Sequence, residues 1–455
     1  MPGLVRQDRT LAGSVACGGG ALTNPRRIEP LTGPPDVTVE VPGSKSLTNR
    51  ALVAAALAAG PSRLEGILLA DDTEAMIAGL RAIGIKVRVD AEAVVAEVEG
   101  CDGRVPAGPA TVDVRLSGTT ARFLAPMLAL GHGDYTLDAA TPFRSRPMEP
   151  LLDGLRALGV EVIALGDPGR LPVRIRAGRP GLAGGRVAVS GDVSSQFLSG
   201  LLLAGPVMRN GLEVTLSTPL VSAPYVDLTV SAMTAFGARV DRPAEDRFTV
   251  APTGYRGTHY LVEPDASAAS YLLAAAAITG GRVRVDRLTR RSAQGDIAFA
   301  DVLGRMGAEV VADDGGIEVR GHGGLHGVDV DLGDLSDTAQ TLAAVAVFAD
   351  GPTRVRGIGF IRRKETDRIR ATVTELRRCG IVAREEPDGF VIEPGTPTPA
   401  VIRTYDDHRM AMSFALIGLV VPGIAIADPG CVAKTFPAYF DVLERLREPG
   451  PRPRR

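Results

Sequence analysis

Aromatic residues make up only 4% of this 455-residue chain. The basic segments are not interleaved with them, which argues against a surface that stacks nucleic-acid bases. An excess of one charge is also missing: 51 Lys and Arg stand against 53 Asp and Glu, a formal net charge of −2 with a pI near 6.3. Bulk electrostatics therefore define neither a nucleic-acid binder nor a membrane-surface binder. The four cysteines, Cys17, Cys101, Cys379 and Cys431, are far apart and lack metal-ligand spacing. That usage suits a reducing compartment, so a cytoplasmic location is expected. No apolar run reaches the roughly 18 residues of a membrane-spanning helix. The nearest, 410–427, is broken by Pro422-Gly423. The start carries no charged-then-apolar signal pattern, because Gly18-Gly19-Gly20 interrupts it.

What is present is a repeat. A polar start, an apolar helix, a glycine stop and a strand recur six times, with stops at Gly60, Gly131, Gly205, Gly280, Gly351 and Gly423, spaced 71 to 75 residues apart. Segments rich in Ala, Leu, Val and Met precede the stops, as in 51–59 and 412–421, and β-rich stretches follow at 64–67, 135–137, 213–216, 282–285, 354–355 and 424–426. A second helix ending Leu-x-x-hydrophobic-Gly (Met heads the third copy) recurs at Gly84, Gly159, Gly237, Gly307 and Gly380. Glycine suits the left-handed position just past a helix end. The sixth copy, 439–446, stops before its glycine. A fixed period in this range marks a duplicated supersecondary unit.

The length exceeds one ordinary core, so six units divide into three and three. Interdomain crossings are expected near Val41-Pro42-Gly43 and Glu263-Pro264-Asp265. If the segment before Val41 pairs with the second half, the chain crosses twice and the crossings form a hinge. The expected limits are a domain of residues 42–264 and another of 31–41 plus 265–446. Residues 1–30 and 447–455, rich in Gly, Pro and polar residues, read as flexible tails.

The chemistry gathers at helix starts. In Pro42-Gly43-Ser44-Lys45-Ser46-Leu47-Thr48-Asn49-Arg50 a tight turn enters a helix, and N–H groups, the helix dipole and two cations converge as a bound anion requires. A nucleotide P-loop is excluded, because Ser44 and Val39 stand where that motif needs glycine. Ser117-Gly118-Thr119-Thr120-Ala121-Arg122, Asp192-Val193-Ser194-Ser195-Gln196, Ser336-Asp337-Thr338 and Asp406-Asp407-His408-Arg409 repeat the theme. Ser, Thr and Asp there can be plain N-caps. Lys45, Arg50 and Arg409 oppose the dipole, and a bound anion would offset that cost. The second-helix starts add Arg144-Ser145-Arg146-Pro147, Ser222-Ala223-Pro224-Tyr225, the run 362–368 with four cations and two acids, and Lys434-Thr435-Phe436-Pro437. If these ends face one cleft, it suits a small polyanion. Asp337, Glu365, Asp407 and His408 among the cations add proton transfer to anion binding.

Eight blocks in order together resemble the 5-enolpyruvylshikimate-3-phosphate synthase family: Pro42-Gly43-Ser44-Lys45-Ser46 with Arg50, Ser117-Gly118-Thr119-Thr120-Ala121-Arg122, Arg146-Pro147, Ser194-Ser195-Gln196, Leu220-Val221-Ser222, Lys364-Glu365-Thr366-Asp367-Arg368, Asp407-His408-Arg409 and Ala433-Lys434-Thr435-Phe436-Pro437. The resemblance implies an α/β, two-domain, inverse α/β barrel-like fold of six βαβαββ repeats, three per domain, with the active site in the interdomain cleft. It implies transfer of the enolpyruvyl group of phosphoenolpyruvate to the 5-hydroxyl of shikimate 3-phosphate by addition and elimination through a tetrahedral intermediate, in aromatic amino-acid biosynthesis. No metal or organic cofactor, nucleic acid or membrane is expected, and the chain is expected to be a monomer.

Carried over by position, shikimate 3-phosphate would meet Lys45, Ser46, Arg50, Ser194, Ser195, Gln196, Ser222, Asp337 and Lys364, with Tyr225 nearby. Phosphoenolpyruvate would meet Lys45, Gly118, Arg146, Gln196, Arg368, Arg409 and Lys434. Asp337 would take the proton of the 5-hydroxyl. Glu365 would protonate the methylene and later take a proton back. Lys45, Lys434 and His408 would serve the departing phosphate. Cationic half-sites would repel until anions bridge them, which makes closure substrate-driven.

The sequence departs from the family pattern at Phe360, where the family often has Asn, and at Leu116 and Phe123, which replace residues that are often Asn and Pro. Gly118 leaves room beside phosphoenolpyruvate, which predicts sensitivity to glyphosate. Three rivals remain open at this stage. One is the enolpyruvyl transferase acting on UDP-N-acetylglucosamine, which uses a loop cysteine; Cys101 lies in a plausible loop without that family's surrounding sequence. The others are a non-catalytic anion-binding protein and an RNA binder.

Overall fold

Each glycine-punctuated segment folds as one α/β unit in the computed structural model, which describes residues 25–178 and 181–448. The first helices are Lys45–Leu57, Gly118–Ala129, Ser195–Ala204, Ala266–Thr279, Ala339–Ala346 and His408–Gly418. They are apolar nearly all round, as in Lys45–Leu57, where every residue from Leu47 onward is buried. A helix of that kind has to lie inside, and three of them pack together in each half. The second helices are amphipathic; Arg368–Arg378 buries Ile369, Val373 and Leu376 and leaves Arg370 and Arg377 outward. The five glycines closing the second helices, Gly84, Gly159, Gly237, Gly307 and Gly380, all take left-handed φ values, between 77° and 108°. The first-helix stops are less uniform. Gly60, Gly280 and Gly423 are left-handed. Gly205 instead continues into a 3-10 turn, Gly205–Val207, where a Cβ would crowd Val250 at 2.9 Å.

Among the described residues five sheets have four strands and one has three. In three of the four-stranded sheets the strand before the first helix runs parallel to the strand after it, and in all five a hairpin adds two antiparallel strands; the other two exchange that leading strand between halves. Asp36–Val39 pairs in parallel with Arg282–Asp286, so the segment before Val41 belongs to a sheet of the second half. His259–Leu261 pairs in parallel with Pro61–Glu65 of the first half. The chain therefore passes between halves twice. The two passages lie side by side, with Gly43 opposite Pro264, Ser44 N donating to Glu263 O at 2.8 Å and Asp265 N to Pro42 O at 2.9 Å. Only glycine fits at 43, since a Cβ would sit 1.8 Å from Gly66 O. One hydrophobic core gathers residues within 47–262; the other gathers 28–41 with 266–446.

The tail limits need correction. Arg26–Arg27 forms a strand antiparallel to Ile424–Ile426, in the place that a hairpin strand takes in the other sheets. Ile28 is buried, and Arg447 bonds the carbonyls of Glu29 and Pro30. An otherwise open sheet edge recruits these residues. The rest of the expected tails, residues 1–24 and 449–455, lies outside the described residues, as does Cys17. Among the described residues no helix is long and apolar enough to cross a membrane.

Candidate active site

The first-helix starts meet where the halves face each other. Ser44, Ser117, Ser194, Asp265 and Asp407 are their caps, each accepting a backbone N–H one turn in. The adjoining crossing puts Lys45 N on Asp265 Oδ2 at 3.0 Å. Lys45, Asp72, Gly118, Thr119, Arg146 and Gln196 of the first half line one cleft with Asp337, Lys364, Glu365, Arg368 and Arg409 of the second. Five cations thus share the cleft with three carboxylates, leaving it net positive.

The halves are joined across this cleft by opposite charges. Lys434 Nζ lies 2.9 Å from Asp72 Oδ1 and 2.9 Å from Leu116 O. Arg146 Nη1 lies 3.5 Å from Glu365 Oε1. Tyr225 OH donates to Asp337 Oδ2 at 3.0 Å, and the Ser222 and Ser336 hydroxyls are 3.4 Å apart. The expectation of opposed cationic half-sites is corrected here: carboxylates of each half face cations of the other, so the charge of the halves alone does not force them apart.

Arg368 organises the acids. Its guanidinium, 2% exposed, bonds Asp407 at 2.7 Å, Asp337 at 3.0 Å and Glu365 at 2.8 Å. Arg409 Nη2 adds a 2.6 Å bond to Asp337. Burial alone would raise the pKa of Asp337, but Arg409, Lys364 and Arg368 hold it well below the carboxylate range. Glu365 is likewise held down, against burial, by Arg368, Arg146 and Lys434. Burial lowers Lys364 to about 8, with Asp337 pulling the other way. Burial and then Arg409 keep the His408 imidazole neutral; neither ring nitrogen has a hydrogen-bond partner among the described residues, and Nδ1 lies 3.7 Å from Asp407 Oδ1. One wall can therefore bind anions and present a base, and Lys364 is the group poised to change protonation.

Other expected site residues sit differently. Arg50 is buried and spent on protein groups: Thr229 Oγ1 at 2.8 Å, Ser46 O at 2.9 Å and Tyr225 O at 2.9 Å, with Phe123 under its guanidinium. Ser46 lines a separate crevice with Tyr225 and Asp296. Ser194 caps the helix that carries Ser195 and Gln196. Ser222 has φ of 52°, a left-handed conformation that costs a non-glycine residue energy and tends to mark functional sites. Phe360 packs under Lys364, its ring 5.8 Å from Nζ, and Leu116 serves through its carbonyl. Cys101 bonds Ala56 O, at the far end of the helix that Lys45 begins, and burial raises its thiol to about 11. It is neither at the cleft nor a thiolate.

Three residues were missed. Asp72 pairs both Lys45 and Lys434. Arg122 donates to Gln196 Oε1 at 2.6 Å and orients it. Asp296, raised to about 7 by burial and by Asp337, lies 3.3 Å from Tyr225 OH. Arg122 ends the Ser117 motif and could have been read as a site group. Asp72 opens a second helix with Asp71, which reads as ordinary capping, and Asp296 carries no signal.

Outside the cleft, across the Lys434–Asp72 and Arg146–Glu365 pairs, lies a chamber of about 480 Å³ walled by Leu116, Pro142, Phe143, Cys431 and Asp428. Duplicated α/β units whose helix starts converge on cations and acids define an enzyme that brings small anions together and moves protons between them. Comparison with known proteins gives the family. The model of EPSP synthase (3-phosphoshikimate 1-carboxyvinyltransferase) matches residues 28–443. A 3-phosphoshikimate 1-carboxyvinyltransferase of Nostoc punctiforme is 47% identical over 92% of this chain and 99% of its own. One from Yersinia pseudotuberculosis is 44% identical over 90% and 96%. The solved EPSP synthase of Acinetobacter baumannii superposes with a TM-score of 0.80 at 27% identity, covering 93% of this chain and 98% of its own. The enolpyruvyl transferase NikO of Streptomyces tendae, at 20% identity and a TM-score of 0.71, shares the fold. The chain belongs to the EPSP synthase family.

Proposed function

We propose that this chain transfers the enolpyruvyl group of phosphoenolpyruvate to the 5-hydroxyl of shikimate 3-phosphate and releases phosphate. Family membership supports the reaction, and one observation carries the assignment of roles: Arg368 joins Asp337 and Glu365, an ionised pair of acids, inside a net-positive cleft. Asp337 accepts the hydroxyl proton while the oxygen bonds C2. Glu365 delivers a proton to the methylene carbon. In the second step the C2–phosphate oxygen bond breaks, Glu365 takes a methyl proton back, and the departing phosphate recovers the proton held by Asp337. Lys45, Lys434 and neutral His408 serve that phosphate; Arg146, Arg368 and Arg409 take the carboxylate and phosphate of the donor, with Gly118 and Gln196 beside them. Lys364, Ser194, Ser195, Gln196, Ser222, Tyr225 and Ser46 face shikimate 3-phosphate, and Arg50 holds the Tyr225 backbone.

Glu365 must be protonated to act as an acid, although Arg368, Arg146 and Lys434 hold it ionised. Substrate anions that engage those cations withdraw their support and raise its pKa. Residues 42–264, and 31–41 with 265–446, would move as two domains about the paired crossings. A monomer is favoured because one chain supplies every cleft residue. The free thiols of Cys101, Cys379 and Cys431 support a reducing, cytoplasmic setting.

The test is phosphate release with both substrates, each omitted in turn, and with UDP-N-acetylglucosamine as the alternative acceptor. Release that needs both shikimate 3-phosphate and phosphoenolpyruvate is expected. Release with the UDP-sugar alone as acceptor would reverse the assignment.

A further inference from the structure

Asp72 is the second residue of the helix Asp71–Ala82, 3% exposed, where the helix dipole favours a carboxylate. Its carbonyl accepts from Thr120 Oγ1 at 3.2 Å, which ties it to the helix Gly118–Ala129. Thr73 bonds the Ala70 N–H, so the carboxylate of Asp72 is free of capping. Its two oxygens divide between two lysines: Oδ1 takes Lys434 at 2.9 Å and Oδ2 takes Lys45 at 3.4 Å. Lys45 belongs to the first half and Lys434 to the second, 362 residues from Asp72. An ammonium has three donors. Lys434 uses two, on Asp72 and Leu116, and so keeps one.

We propose that Asp72 is a positioning residue that seats Lys45 and Lys434 together on the departing phosphate, so that closing the halves and completing the phosphate-handling pair are a single event. This rests on the reaction proposed above. Two lysines approaching from opposite halves repel; one carboxylate between them removes most of that repulsion and leaves one net positive charge for the phosphate. Burial disfavours the charge of Lys434, and Asp72, followed by Glu365, sustains it. Asp72 itself touches no reacting atom. Its loss therefore impairs the bound complex more than it impairs anion capture, which the added positive charge would even assist.

The test is a double-mutant cycle of Asp72→Asn and Lys434→Met, read as phosphate release. Asp72→Asn is expected to lower kcat about tenfold or more with KM for phosphoenolpyruvate unchanged or lower, and to cost less than about twofold once Lys434→Met is present. Losses that multiply in the double variant, or a kcat within about twofold of the wild type, overturn the proposal. Should Asp72→Asn fail to fold, the cycle runs with Asp72→Glu, which keeps the charge but displaces it: a kcat loss that vanishes beside Lys434→Met supports the role, and a multiplied loss or no loss sinks it. A wild-type enzyme that releases no phosphate from the two substrates overturns the reaction and this role together, whereas an active wild type with multiplying losses overturns only the role of Asp72.

Discussion

Tyr225 of the first half donates its phenolic hydrogen to Asp337 Oδ2 of the second at 3.0 Å. The phenol has one hydrogen and stands 3.3 Å from Asp296 Oδ2 as well. Asp337 is held ionised, so it takes that hydrogen, and Asp296, pushed up to about 7 by burial and by Asp337, is the one of the two that protonates more readily. Asp296 is also faced by Ser267, Arg409 and Asp265. Tyr225→Phe removes the donor and leaves two carboxyl groups facing each other. A hydrogen bond to a charged group is worth roughly 1.5–3 kcal/mol, so kcat/KM should fall about ten- to a hundredfold. The pKa of Asp337 should rise, moving the acid limb of the pH–rate profile upward. A profile unchanged in shape would remove the bond from the mechanism.

Lys364 sets the alkaline limb. Burial lowers its ammonium to about 8, with Asp337, Arg368, Glu365 and Arg146 as its charged neighbours. A cation with a lowered pKa keeps its charge below that value and loses it as pH rises through it. Therefore kcat/KM for shikimate 3-phosphate should fall as pH passes about 8. In the profile of kcat the limb should lie higher, because bound phosphate favours the charged form. Lys364→Arg stays charged and should abolish the limb, whatever it does to the absolute rate. A limb that persists in Lys364→Arg would belong to another group.

Stability hangs on Arg368 as much as activity does. Its removal strands Asp407, whose side chain is fully buried, against Arg368 no longer there to pair it. Breaking a buried pair on one side costs about 3–5 kcal/mol. Arg368→Met should lose that amount in urea unfolding. Arg368→Lys should recover only part, because one ammonium cannot span the three acids that the guanidinium fork reaches.

Periodicity made the units legible. The glycines Gly84 to Gly380 mark helix ends that need a left-handed residue, and a short-range backbone demand writes itself into one position. The return of Asp36–Val39 to the second-half sheet was legible only as a condition, because strand partners are set by contacts between distant segments. Cleft cations such as Lys45 and Arg409 stood out because they sit where local stability disfavours them. Asp72 did not, because a carboxylate at a helix start is what capping already explains; only the arrival of Lys434 reveals its second task. Arg50 stood out for the same reason as Lys45, yet the fold spends its donors on Thr229, Ser46 and Tyr225. A cation at a helix start can be compensated by backbone carbonyls as well as by a ligand, and sequence does not separate the two.

Gly118 is placed so that a methyl group changes the donor site without breaking the fold. A Cβ there would lie 2.9 Å from Arg122 Nη1, 3.3 Å from the Phe143 ring and 3.5 Å from Arg146 Nη1. The near neighbours are mostly the far ends of long side chains, which can yield, so Gly118→Ala should fold. Arg122 can yield only by loosening its 2.6 Å bond to Gln196, and Arg146 only by shifting from Glu365. Both shifts disturb groups proposed to hold phosphoenolpyruvate. One added methyl in a tight pocket is worth about 1–3 kcal/mol, so KM for phosphoenolpyruvate should rise by about tenfold or more. Glyphosate, predicted to inhibit by occupying the same room, should lose more affinity than the substrate does, seen as a higher ratio of Ki to KM. A Gly118→Ala enzyme as sensitive as the wild type would show that the crowding is relieved elsewhere and that Gly118 does not govern the space beside the donor.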